Sequence, residues 1–72
     1  MKIKRIKATA TATFQEFRCV NSYNEWQLFR AHLINEQWEV THNQAMNRLV
    51  VGQFENLKSA LEGGYRYATS YK

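Results

Sequence analysis

Residues 2–20, KIKRIKATATATFQEFRCV, run without a Gly, Asn, Asp or Pro. Chain reversals rely on those residue types, which accept or pre-set the backbone angles of a tight turn. The stretch reads as extended: Thr9, Thr11 and Thr13 fall on one side, Ala8, Ala10, Ala12 and Phe14 on the other. Fully extended it would span roughly 60 Å at about 3.3 Å per residue. A compact chain of 72 residues is only about 30 Å across. The segment must therefore turn back, bend or protrude, and the missing turn formers favour protrusion. Residues 1–8 are then an extended basic arm. Phe17 and Cys19 are odd-numbered, out of phase with Phe14, and one extra residue near Gln15–Glu16, a β-bulge, would reconcile the two halves. An unpaired edge seeks another strand. The arm, with Thr9, Thr11 and Thr13, is expected to pair with a second copy as a two-fold homodimer or to join a partner's sheet.

The remaining elements follow from periodicity. In NSYNEWQLFRAHLINEQ, Ser22 and Glu25 fit the capping box S-x-x-E. Trp26, Leu28, Phe29, His32 and Leu33 then share one arc at about 100° per residue, which predicts a helix ending near Asn35. QWEVTH alternates as a strand, NQA is a polar turn, and MNRLVVG is the second strand of that hairpin. FENLKSALEGG reads as a short helix stopped by Gly63-Gly64. YRYATSY alternates again, with Tyr65, Tyr67 and Tyr71 on one side. The order β-α-β-β-α-β predicts an α+β ferredoxin-like sandwich: a four-stranded antiparallel sheet, two helices on one face and a long N-terminal strand.

Seventy-two residues with 44% hydrophobic and 14% aromatic content suit a single domain spanning 1–72 with a small core. No apolar run reaches the roughly 18 residues of a membrane span. The charged start lacks the apolar segment of a secretory signal. Cys19 is alone, which excludes an intramolecular disulfide. A cytoplasmic protein without membrane contact is expected. There is no Asp, and neither histidine has a nucleophile at a recognisable spacing, which argues against an enzyme. Cys19, His32 and His42 match no zinc spacing, and no glycine-rich phosphate loop is present. Neither metal nor cofactor is expected.

Two family resemblances arise. The predicted element order resembles the RNA-recognition motif, although its third strand, NRLVVGQ, lacks that family's aromatic signature. RLVVGQF, residues 48–54, is similar to the V-x-V-G-x-F segment of SPOR domains, a resemblance that implies peptidoglycan binding.

Ten Lys and Arg against six Glu leave a net charge of +4, with a pI near 9.5, a bias toward polyanions. On a ferredoxin-like sheet, alternation would send Arg18, Arg48 and Arg66 to the open face from three adjacent strands. Their planar guanidinium groups suit phosphate or carboxylate. Lys2, Lys4, Arg5 and Lys7 add a basic N-terminal strand. The residues thus suggest a small non-enzymatic binding protein whose partner is nucleic acid. The rival partner is an acidic protein surface, met by a small docking regulator or inhibitor of the phage or mobile-element type. A cell-wall-binding module is a third reading.

Overall fold

Strands β1 (Ile3–Thr11), β2 (Phe14–Val20), β3 (Trp26–Ile34), β4 (Gln37–Gln44) and β5 (Asn47–Phe54) precede helix α1 (Leu57–Ser70). In the computed structural model, which describes residues 2–44 and 47–70, all five strands form one antiparallel sheet in sequence order. Helix α1 lies on one face, over β2 to β5. The expected ferredoxin-like sandwich is therefore wrong: one strand more, one helix fewer, and a meander in place of the split β-α-β repeat. The likeness to the RNA-recognition motif rested on that element order and falls with it. Ala45 of the expected NQA turn, Met46 of the expected MNRLVVG strand and Tyr71 of the expected closing strand lie outside the described residues.

The first correction concerns residues 26–34, which are β3 and not a helix. WQLFRAHLI satisfies both periods. Read at period 2, Phe29 and Ala31 point to the helix-covered face and are buried, while Trp26, Leu28, Arg30, His32 and Ile34 point the other way. Flanking strands on both sides decide between the periods, because each supplies a ladder of backbone hydrogen bonds and a cross-strand partner. The capping box does not form. Asn21 organises the preceding loop instead: its Oδ1 accepts from Tyr23 N and Glu25 N, both at 2.9 Å, and its Nδ2 donates to Glu25 Oε1 at 3.2 Å. The strand ends in a two-residue turn, with φ of 51° at Asn35 and 65° at Glu36 and Ile34 paired with Gln37. Two left-handed residues match the twist of a tight hairpin.

The second correction concerns the N-terminal arm. Residues 3–11 do not overhang; β1 folds back on β2 through Ala12-Thr13. No Gly, Asn, Asp or Pro is needed, because neither residue takes a positive φ. The mismatch is absorbed elsewhere. Between the pairs Ile6↔Glu16 and Thr11↔Phe14, β1 runs through Lys7, Ala8, Thr9 and Ala10 while β2 uses only Gln15. The bulge thus lies on β1, opposite the expected position. The Gln15 side chain is buried and stitches the hairpin beside it: its Nε2 donates to Ile6 O at 3.0 Å, and its Oε1 accepts from Arg5 at 3.1 Å. Thr9 Oγ1 donates to Glu16 Oε1 at 2.7 Å. The hairpin keeps the molecule within 33 × 24 × 22 Å.

The third correction concerns the C-terminal end. Tyr65–Ser70 continues α1, and Gly63-Gly64 do not stop it. Asn56 caps the start, its Oδ1 accepting from Ser59 N at 2.8 Å. Thr69 and Ser70 hydroxyls donate to the carbonyls of Tyr65 and Tyr67 near the other end. Ala60, Gly63, Gly64 and Ala68 form the buried stripe of the helix, laid against Phe17, Phe29 and Val40 from the sheet. A Cβ on Gly63 would lie 2.2 Å from the Phe54 ring, and one on Gly64 would lie 2.5 Å from the Phe17 ring. The glycine pair therefore permits close approach between helix and sheet, and its φ values are not positive.

Candidate nucleic-acid interface

Because α1 covers β2 to β5, the edge strand β1 reaches past it. A groove of about 880 Å³ opens between the two, lined by Lys2, Ile3, Lys4, Arg5 and Lys7 from the β1 side and by Lys58, Leu61, Glu62 and Tyr65 from α1. The four helix positions are spaced i, i+3, i+4 and i+7, one helical face. Ile3, Leu61 and Tyr65 are partly buried against the core and form an apolar floor. Within β1, alternation sends Lys4 to the open face beside Arg18 and Arg5 to the helix-covered side beside Phe17, while Lys2 immediately precedes the strand. At a sheet edge, their long stems let the charged heads reach around. Five of the chain's ten Lys and Arg residues meet here, facing one carboxylate, Glu62.

Two of these lysines sit beside exposed or half-exposed rings. Lys2 Nζ is 6.0 Å from the Tyr65 ring centroid, and Lys4 Nζ is 5.0 Å from that of Trp26. The first pair lies at the groove. The second lies on the open face of the sheet, where Lys4 is the cross-strand partner of Arg18 and Arg18 that of Leu28.

The arginines expected to share one face do not converge. Arg18 is exposed on the open face of β2. Arg48 is exposed on the same face of β5, across from Asn43. Strands β3 and β4 separate them, a gap of about 14 Å at about 4.8 Å per strand. Arg66 is exposed on α1, on the other side of the sheet, because the expected closing strand is helical. Lys2, Lys4, Arg5 and Lys7, by contrast, are brought together. Thr9, Thr11 and Thr13 are exposed, with Thr9 bonded inside its own hairpin.

Lys58, Tyr65 and Trp26 were not legible as site residues. Lys58 and Tyr65 reach the groove only because α1 is long and docks where it does. Trp26 and Arg30 reach the open face only because residues 26–34 are a strand. Arg30 is paired with Glu16 at 2.9 Å. The Thr9 hydroxyl, and then Arg30, hold the Glu16 carboxyl below its ordinary value.

The other titratable side chains of chemical interest belong to the core. Cys19 is buried, and burial pushes its thiol up to about 12. A thiol so shifted stays protonated at neutral pH and is a poor nucleophile. His42 is 2% exposed, stacked on Phe29 at 4.7 Å and edge-on to Tyr67 at 5.3 Å. Its Nε2 donates to Gln27 Oε1 at 3.1 Å, and burial holds the imidazole below its ordinary value. Among the described residues, no three His, Cys, Asp or Glu side chains gather as a metal site. No helix there is long and apolar enough to cross a membrane. RLVVGQF lies along β5. No family model, curated protein or solved structure matches the chain.

Proposed function

We propose that this protein binds nucleic acid, with the groove between β1 and α1 as the site of backbone contact. The observation that carries this reading is the gathering of Lys2, Lys4, Arg5, Lys7 and Lys58 around a floor of Ile3, Leu61 and Tyr65. Cations hold phosphates and release condensed counterions, which supplies affinity without sequence preference. Apolar and aromatic surface between them accommodates sugar and base. Fluorescence anisotropy of a labelled mixed-sequence oligonucleotide tests the reading. Five phosphate contacts to a single strand predict a log–log salt slope of about −3.5, or about a hundredfold loss of affinity between roughly 50 and 200 mM salt. Lys58→Glu, an exposed helix substitution, should weaken binding and flatten that slope. Salt-independent binding, or none, would remove the reading.

A second reading is docking on an acidic protein surface. It draws support from apolar side chains on the open face, with Trp26 42%, Ile34 47% and Val50 63% exposed. The apolar part of such a contact would tolerate salt far better than phosphate binding does.

A further inference from the structure

We infer that the ligand is single-stranded, and that a strand held in the groove continues around the edge of β1 onto the open face, where Trp26 is a second stacking platform beside Lys4 and Arg18. The inference rests on the nucleic-acid reading above and specifies its ligand and path.

The two lysine–aromatic pairs carry the inference. Lys2, which immediately precedes β1, and Lys4, within it, are two residues apart. One reaches toward Tyr65 on the helix side, the other toward Trp26 on the open side. Lys4 lines the groove and also stands over the indole, so the basic surface is continuous from one face to the other. Arg18 extends it by one strand as the cross-strand partner of Lys4, and it is exposed. Trp26 is 42% exposed at the start of β3. A π-face beside cations is the arrangement that stacks an unpaired base. An arriving base takes the ring face, and the displaced ammonium of Lys4 meets the strand's phosphate.

Flexibility selects the ligand. A path that leaves the groove and crosses the β1 edge bends sharply within a body whose longest extent is 33 Å. A duplex has a persistence length of about 50 nm and does not follow such a path. Its base faces are also already stacked. A single strand bends freely and presents unpaired faces.

Fluorescence and anisotropy titrations with an unlabelled and a labelled single-stranded oligonucleotide, and with the matching duplex, test this at low salt. The protein is compared with Trp26→Ala, Trp26→Phe and Lys58→Glu. The single strand should quench tryptophan emission and bind more tightly than the duplex. Trp26→Ala should abolish most of the quenching and lower single-strand affinity about 5- to 100-fold, with Trp26→Phe in between. Should Trp26→Ala fail to fold, by circular dichroism, the Trp26→Phe titration carries the comparison. If Lys58→Glu weakens binding while Trp26→Phe and Trp26→Ala match the parent, the path over Trp26 is wrong and the groove reading stands. If neither nucleic acid binds, both fall. Equal, Trp26-independent binding of duplex overturns the inference. So does displacement of the strand by poly-glutamate of equal charge with Trp26 emission unchanged, which would point to an acidic protein as the occupant.

Discussion

Gly64 and Phe17 approach so closely that a methyl group on Gly64 would lie 2.5 Å from one ring carbon and 2.8 Å from the next. Phe17 is fully buried on the helix-covered face of β2 and stacked on Phe29. In a helix interior, Gly→Ala is ordinarily favourable by about 1 kcal/mol. Here overpacking should reverse the sign. Gly64→Ala is expected to destabilise by about 1–3 kcal/mol, read as a lower urea midpoint. Gly63→Ala meets Phe54, which is only half-buried near the end of an edge strand, and should cost less. A raised midpoint for Gly64→Ala would mean that helix propensity outweighs the clash with Phe17.

His42 should make stability fall on mild acidification. Its imidazole is held below the ordinary value in the folded chain, whereas the unfolded chain takes up the proton near pH 6.5. Between those two values the unfolded state binds more protons, so lower pH favours unfolding. The contribution is complete above about pH 6.5 and is lost as pH falls toward the folded value, by at most about 1.4 kcal/mol per pH unit. Urea midpoints at pH 7.5 and 5.5 measure it, and His42→Gln should flatten the dependence.

Asn21 and Ser22 separate the two readings of the loop before β3. Asn21→Ala leaves the amides of Tyr23 and Glu25 without their side-chain acceptor and should destabilise by about 0.5–1.5 kcal/mol. Ser22 is exposed and caps no helix. Ser22→Ala should change stability by no more than about 0.5 kcal/mol, read as an unshifted thermal midpoint.

Glu36 holds a φ of 65°, a conformation that disfavours residues carrying a Cβ by about 1–2 kcal/mol. Glycine removes that strain, although it frees the unfolded chain. Glu36→Gly is expected to stabilise by about 0.5–1 kcal/mol, raising the melting temperature by a few degrees for a chain of this size. A lowered melting temperature would show that the added freedom of the unfolded chain outweighs the relieved strain.

Local alternation in the sequence was enough to place several elements. FQEFRCV, QWEVTH and NRLVVG each read as strands and are strands, and the helix read over FENLKSALEGG is present, although it begins at Leu57 and Phe54 closes β5. The basic character of Lys2, Lys4, Arg5 and Lys7 was equally plain, because charge needs no fold to be counted. Tertiary structure alone decided residues 26–34 and 65–70. WQLFRAHLI carries apolar residues that satisfy period 3.6 and period 2 together, and only neighbouring strands on both sides select one. YRYATS alternates like a strand, yet Ala60, Gly64 and Ala68 make the small stripe on which the helix docks, and that stripe has meaning only against Phe17 and Phe29. The site divides the same way. Four of its cations, Lys2, Lys4, Arg5 and Lys7, fall within six consecutive residues at the start of the chain's first strand. Lys58 and Tyr65 join them through space, and Trp26 joins through the strand character of β3, because the energy that sets a helix on a sheet comes from burying one face against another, which no window of sequence contains.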